Sequence, residues 1–140
     1  MRVNYSAITQ RLPTGFRKIF IPYLNIKLKN GFREFQTRAL IDSGASITLV
    51  NSEIAENLLK IDWEKGLPFV TFGITGKSET IFINKIDIEI NGLQNSSRTI
   101  EIGVIKSDNF GVLLGQIGFF EFFNVAFCYS KKYFYINPSY

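Results

Sequence analysis

The chain has 140 residues, enough for one domain with its own core, and 46% of them are hydrophobic while only 20% are charged. It contains no histidine and a single cysteine, which excludes histidine-based nucleophilic catalysis, histidine-ligated metals, intrachain disulfides and cysteine-rich metal sites. Its net charge of +4 comes from scattered Lys and Arg residues, so a nucleic-acid partner is not favoured, and we expect neither a metal nor a cofactor. The cysteine, Cys128, agrees with a reducing compartment and is expected to be a buried small hydrophobe.

Two stretches of the sequence can be interpreted in more than one way: the start of the chain and its longest apolar run. Residues 1–17 are mostly polar and include Pro13 and Gly15, which predicts an N-terminal arm or loop before a domain that spans residues 18–140. No apolar segment typical of a secretory signal follows the first residues. Polar residues and glycines interrupt the apolar stretch at residues 111–129, so we expect it to form core, with no membrane partner and a cytoplasmic location.

Most of the predicted elements are short strands, identified from alternating or all-apolar runs bounded by turn residues. In chain order these strands are residues 19–29, 32–41, 69–72, 80–83, 86–90, 100–104, 112–115, 125–129 and 133–136. Short helices are predicted at residues 51–60 and 119–123, and Trp63 is expected to pack in the core. Lys85 breaks the alternation of the isoleucines around it, which predicts a β-bulge. The expected fold class is therefore mainly β, with one or two short helices.

One acidic residue stands in an unusual position. Asp42 lies in a polar turn, residues 42–46, between the apolar runs 39–41 and 47–50, so the turn should be held beside the core. Gly44 lets the backbone fold back, and the serine hydroxyls of the turn can hydrogen-bond the backbone or the carboxylate. A carboxylate in such a place is a candidate for acid–base catalysis, although an Asp-Ser-Gly sequence is equally typical of a structural turn.

Four segments, taken in order, resemble the retropepsin-like aspartic proteases, the single-domain family that includes the retroviral proteases. They are Leu40–Ser46, which is similar to the catalytic loop; Gly73–Gly76, which is similar to the tip of the flap; Val112–Gly115, which is similar to the apolar-apolar-Gly segment; and Phe122–Ile136, which is similar to the closing hairpin. The resemblance covers roughly residues 19–136. It implies a closed β-barrel, one half of the acid-protease fold, with a flap hairpin and one or two short helices.

The chain departs from the family at two positions. The family commonly has an arginine after the glycine of the last motif, paired with an acid beyond the catalytic loop, and here these positions are Gln116 and Ser46. Because both members have changed, the resemblance implies a neutral hydrogen bond between them in place of an ion pair, with no buried charge left unpaired.

The function that the resemblance implies is that of an aspartic endopeptidase. The chain offers one suitable carboxylate, so two copies would form a symmetric homodimer in which Asp42 from each subunit completes a dyad that activates water. Ser43 would tie the two loops together, and Gly44 would contact an extended peptide or protein substrate. The residues that support the loop would be Ala45, Ser46 and Gln116. The flap that closes over the substrate would comprise Phe72, Gly73, Ile74, Thr75 and Gly76.

Two like charges about 3 Å apart cannot both ionise easily, so activity should follow a bell-shaped pH profile with an optimum at mild acidity. Hydrophobic or aromatic residues are expected at the cleaved bond. Two other functions remain open: a catalytically silent dimeric module that binds a peptide or serves in assembly, and, less favoured, a basic nucleic-acid binder. The remaining aspartates lack the glycine turn and are expected to be solvated; they are Asp62, Asp87 and Asp108.

Overall fold

The computed structural model describes residues 1–73, 75–107 and 109–139, which form twelve strands and three short helices. In chain order the strands are β1 (Arg2–Asn4), β2 (Ser6–Leu12), β3 (Gly15–Ile21), β4 (Tyr23–Asn30), β5 (Arg33–Ile41), β6 (Leu49–Asn51), β7 (Leu67–Phe72), β8 (Ser78–Ile90), β9 (Arg98–Ile105), β10 (Val112–Leu114), β11 (Phe123–Cys128) and β12 (Tyr133–Pro138). The prediction of a mainly β chain is confirmed.

Six of these strands close into a barrel. Neighbours follow the order β4-β5-β10-β6-β9-β8, and β8 then pairs back with β4 from Ile26↔Ile90 to Lys29↔Asp87. Strand β7 lies outside the barrel and forms an antiparallel hairpin with the first half of β8. Because β8 is 13 residues long, it serves both the hairpin and the barrel. The prediction of a closed β-barrel is confirmed.

The short strand β10 joins two barrel strands that are distant from it in the sequence. It pairs in parallel with β5, with Leu113 opposite Leu40 and Leu114 opposite Ile41, and antiparallel with β6 on its other side. Since parallel strands in register end at the same edge of a sheet, the residue after β5 and the residue after β10 come together. Those residues are Asp42 and Gly115.

The barrel interior is filled by aliphatic and aromatic side chains. Most come from alternate positions of the barrel strands, as a sheet with one buried face requires. The largest fully buried side chains of the main core are Phe119, Phe123, Phe134, Leu24, Ile26, Leu28, Leu59, Ile88, Ile90, Ile100 and Ile102. Trp63 is also buried, as predicted, and its ring meets that of Phe82 edge-on. A second, smaller cluster of Ile47, Ile81 and Ile105 lies outside this main core.

The N-terminal segment is folded into strands, which its mostly polar composition does not predict. Strand β1 pairs with β12 in a three-stranded sheet β1-β12-β11, and β2 pairs with β3 as a separate two-stranded hairpin. Most residues of β2 and β3 are exposed on both faces, so no hydrophobic alternation marks them as strands. Pro22 separates β3 from β4, where the sequence predicts one continuous strand from residue 19 to 29.

The predicted bulge at Lys85 is wrong. The β8–β9 register is continuous from Phe82↔Val104 to Ile88↔Arg98, without an extra residue. The alternation changes for another reason, which is that the two ends of β8 bury opposite faces. Ile81 belongs to the smaller cluster, whereas Ile86 faces the main core.

The helices are shorter than predicted. The predicted helix at residues 51–60 is a π-helical turn, Ile54–Leu58, and Trp63–Lys65 and Tyr129–Lys131 are single 3-10 turns. The helix predicted at residues 119–123 is absent, because residues 118–122 form consecutive turns in which the Phe119 carbonyl accepts from two backbone N–H groups. Among the described residues, none of the helices has the length and apolar character needed to cross a membrane.

Candidate active site

The turn at residues 42–46, hereafter the Asp42 turn, is fixed by its own backbone. The backbone N–H of Asp42 donates to the carbonyl of Leu114 at 2.9 Å, so the turn starts hydrogen-bonded to β10. The N–H of Ala45 donates to the Asp42 carbonyl at 3.2 Å, and the N–H of Gly44 donates to Oδ1 of the Asp42 carboxylate at 2.9 Å. The carboxylate is half-buried and is oriented by a backbone donor two residues ahead, as in an Asx turn.

A second turn, which follows β10, is joined to the first by backbone hydrogen bonds. The N–H of Gln116 donates to the Ala45 carbonyl at 2.9 Å, and the N–H of Ile117 donates to the Ser46 carbonyl at 3.0 Å. Gly115 allows this approach, since a Cβ there would lie 2.6 Å from the carbonyl oxygen of Ile47 and 2.8 Å from that of Ala45. The glycine after Leu113 and Leu114 is therefore required by close packing against the Asp42 turn.

Thr48 supports the site and was not singled out from the sequence. Its side chain is fully buried, and its hydroxyl accepts a hydrogen bond from the Gly115 N–H at 3.1 Å. Its carbonyl also accepts from the Gly103 N–H at 2.8 Å, which links the turn to β9. The available signal was a hydroxyl residue inside the apolar run 47–50, since a buried hydroxyl must find a partner.

The predicted hydrogen bond between Gln116 and Ser46 is wrong. The side-chain amide of Gln116 donates instead to the backbone carbonyl of Ser43 at 3.1 Å. Ser46 meets the second turn only through its backbone, by the bond from Ile117. Gln116 therefore still contacts the Asp42 turn without a charge, but three residues earlier in the turn than expected.

The β7–β8 hairpin projects beside the Asp42 turn. Its tip is closed by two backbone hydrogen bonds, from Gly73 N–H to the Lys77 carbonyl at 3.1 Å and from Gly76 N–H to the Gly73 carbonyl at 3.0 Å. Gly76 has φ +78°, a conformation that favours glycine. Ile74, predicted as part of the flap, lies outside the described residues.

A cavity of about 370 Å³, hereafter the tip cavity, separates the hairpin from the Asp42 turn. Its lining residues are Gly44, Ala45, Ser46, Ile47, Leu49, Thr71, Phe72, Gly73, Glu79 and Ile105. The structure therefore brings three predicted loop residues together with two predicted flap residues. Asp42 and Ser43 lie in the Asp42 turn and Gln116 in the second turn, and none of the three lines the cavity. Thr75 and Gly76 lie at the hairpin tip.

A second cavity of about 320 Å³, hereafter the base cavity, lies nearer the base of the hairpin. It shares Ser46 and Ile47 with the tip cavity, so the two adjoin across the Ile47 side chain. Its other lining residues are Phe69, Ile83, Glu101, Ile117 and Glu121. None of these residues was predicted to belong to a site, because they lie in four separate segments of the chain that only the fold brings together.

The other aspartates lie in different settings. Asp62 forms an ion pair with Lys65 at 3.1 Å on an exposed helical turn. Asp87 accepts a hydrogen bond from the Thr99 hydroxyl at 2.6 Å across the β8–β9 pair. Asp108 lies outside the described residues. Cys128, expected to be buried, is only half-buried, and its sulfur lies 3.9 Å from the Ser130 hydroxyl.

No protein-family model matches the chain, and no match is found among the curated proteins. A function for this chain therefore has to be inferred from its own residues.

Proposed function

We propose that this chain is a retropepsin-like aspartic endopeptidase that acts as a homodimer. The observation that carries the proposal is the setting of Asp42. It follows the buried end of β5, its turn is hydrogen-bonded to β10 and to the chain after it, and the β7–β8 hairpin lies across a cavity beside it. A half-buried carboxylate with a fixed orientation next to a groove is the arrangement that acid–base catalysis needs.

The chemistry requires a second carboxylate. In aspartic proteolysis one carboxylate takes a proton from water as that water attacks the scissile carbonyl, while the other supplies a proton to the carbonyl oxygen. The single Asp42 of one chain cannot do both, so the second carboxylate comes from the Asp42 of another copy across a two-fold axis. The Ser43 hydroxyl, which is exposed at the turn, is proposed to connect the two turns.

The substrate is proposed to be an extended peptide. Such a segment fits between the Asp42 turn and the β7–β8 hairpin, where its side chains can alternate between the groove and solvent. Closure of the hairpin would exclude water from the reacting carbonyl, with Gly73 and Gly76 as the flexible positions.

The experiment that tests the proposal compares cleavage of a mixed peptide library by the wild-type chain and by Asp42→Asn, between about pH 4 and 7. We expect a bell-shaped pH profile, a rate per subunit that rises with protein concentration, and a loss of about 10²- to 10⁴-fold in the mutant. The asparagine side chain retains an oxygen that can accept from the Gly44 N–H, so the turn should stay folded. The matched control is Asp62→Asn, an exposed aspartate far from the turn in sequence, which should cleave like the wild type.

Absence of cleavage at every pH, from wild-type protein that is folded and dimeric, would contradict the proposal. It would favour the catalytically silent dimeric module, which needs the groove but not the shared proton. Cleavage by Asp42→Asn at the wild-type rate would also contradict the proposal, because the activity would then have to come from a group other than the Asp42 carboxylate.

A further inference from the structure

We propose that the groove under the β7–β8 hairpin selects peptide segments that carry lysine or arginine. The inference rests on the proposed peptide-binding function and names the substrate class for that site. It comes from the chemistry of the tip cavity and the base cavity, which adjoin across Ile47.

The walls of this groove are mostly apolar. The tip cavity has Ile47, Leu49 and Ile105 on its inner side and Phe72 on the hairpin, and the base cavity adds other large apolar side chains. Phe72 is 71% exposed and Phe69 is 51% exposed, so both residues present apolar surface that the described residues leave uncovered. An occupant must therefore bring an apolar segment.

The charges of the groove all have one sign. Three glutamates line the two cavities, Glu79 at the tip and Glu101 and Glu121 at the base, and no lysine or arginine lines either one. This contrasts with the chain as a whole, which carries a net charge of +4. The groove should therefore attract cations and repel acidic peptides.

Two of the three carboxylates are available to a ligand. Glu79 lies opposite Thr71 in the hairpin register and is exposed, and within the described residues it forms no ion pair. Glu121 accepts from the Gly118 N–H through Oε2 at 3.0 Å, which leaves Oε1 for another donor. Glu101 lies directly across from Lys85 in the β8–β9 register, which places a lysine on the neighbouring strand beside it.

A lysine or arginine side chain fits both properties of the groove. Its aliphatic stem can pack on Ile47 and the neighbouring apolar side chains while its charged end reaches a glutamate. The tip cavity is lined by Gly44, Ala45 and Ser46, the residues that immediately follow the Ser43 and Asp42 positions. The residue held by Glu79 therefore lies close to the bond that Asp42 would act on.

The test uses a random decapeptide library in which Lys, Arg, Leu, Asp and Glu occur with equal frequency. One arm identifies the peptides that wild-type protein cleaves, and the other identifies the peptides retained by immobilised Asp42→Asn protein. Each arm is repeated with Glu79→Gln, with Glu121→Gln and with both substitutions together. The control is Glu64→Gln, an exposed glutamate of the Trp63–Lys65 turn that does not line the groove.

We expect Lys and Arg to be enriched about fivefold over Leu at one or two positions, as an exposed ion pair of about 1 kcal/mol would give. Enrichment should fall towards unity in Glu79→Gln or Glu121→Gln, persist in Glu64→Gln, and shrink when salt rises from about 50 to 500 mM. Asp and Glu should be depleted at the same positions.

The two proposals can fail separately. Cleavage without enrichment of Lys or Arg, or with enrichment that survives both groove substitutions together, would overturn the charge selectivity and leave the peptidase intact. Enrichment in the binding arm without any cleavage would support the groove and overturn the peptidase. Peptides neither cleaved nor retained would overturn both.

Discussion

At the scale of single residues, the Asp42 turn depends on a glycine position, Gly115, where a Cβ would collide with backbone atoms. Gly115 is buried against the carbonyl oxygens of Ala45 and Ile47, and backbone atoms cannot move aside as a flexible side chain can. Its N–H also donates to the buried Thr48 hydroxyl. The geometry of the Asp42 turn is thus determined by contacts from residues some seventy positions away.

Gly115→Ala should destabilise the protein by about 1–3 kcal/mol, because the added Cβ forces the two turns apart. The measurement is urea unfolding followed by circular dichroism. Gly73→Ala is the matched control, since a Cβ there meets nothing within 4 Å, and it should change the free energy of unfolding by less than about 0.5 kcal/mol. Equal effects of the two substitutions would contradict the packing that we describe at Gly115.

At the scale of elements, the barrel strands and the N-terminal hairpin differ in how they are supported. Strands β4, β5 and β8 pair on both sides and share the main core. The β2–β3 hairpin pairs only with itself, and Phe16 near its turn is 74% exposed. An isolated two-stranded sheet is marginally stable in water, so this hairpin should open more often than the barrel.

Hydrogen exchange should therefore be faster at the backbone amides of residues 6–21 than at those of β4 or β8. Mass spectrometry of the exchanged, full-length chain at neutral pH resolves these segments. Protection of residues 6–21 equal to that of the barrel would contradict the prediction. If that protection were then lost when the protein is diluted, a second copy of the chain would be identified as the partner that covers the hairpin.

At the scale of the whole molecule, closure of the barrel brings together charges that are distant in the sequence. Lys29 on β4 lies 2.8 Å from Glu89 on β8 and 4.0 Å from Glu34 on β5. The hydrogen bond with Lys29 holds the pKa of the Glu89 carboxyl below its usual value, and that same bond raises the pKa of Lys29. The Lys29–Glu89 pair lies across the β4–β8 contact that closes the barrel, and the Lys29–Glu34 pair lies across β4 and β5.

A Glu89→Gln substitution should lower the urea midpoint at pH 7 and have no effect in strong acid. A carboxylate whose folded-state pKa is depressed stabilises the fold above its unfolded pKa, near 4.5, and loses that contribution as the pH falls through the lower folded value. The measurement is the difference in midpoint between the two proteins from pH 7 down to pH 2. A difference that stays constant across this range would rule out the ionised pair as its cause. Glu56→Gln, on the exposed side of the Ile54–Leu58 turn, is the control.

The extent to which the sequence predicts this molecule depends on how local each feature is. The strands of the β4–β5 and β11–β12 hairpins were predicted in large part because their residues form apolar or alternating runs bounded by turn residues. Strand β2 and the first part of β3 were missed because most of their residues are exposed, whereas residues 19–21 were predicted as the start of a longer strand. The change of buried face along β8 was misread as a bulge, since only the position of Ile47 and Ile105 gives Ile81 its second core.

The sequence by itself determined the Asp42 turn, its place beside the core and the glycine-bearing tip of the β7–β8 hairpin. These features follow from the short-range chemistry of Asp, Ser and Gly between apolar runs. Only the tertiary structure decided that Gln116 bonds to Ser43 rather than Ser46, that Thr48 supports Gly115, and that the groove is lined by carboxylates. Each of those depends on pairing between distant strands, which residue patterns along one strand do not encode.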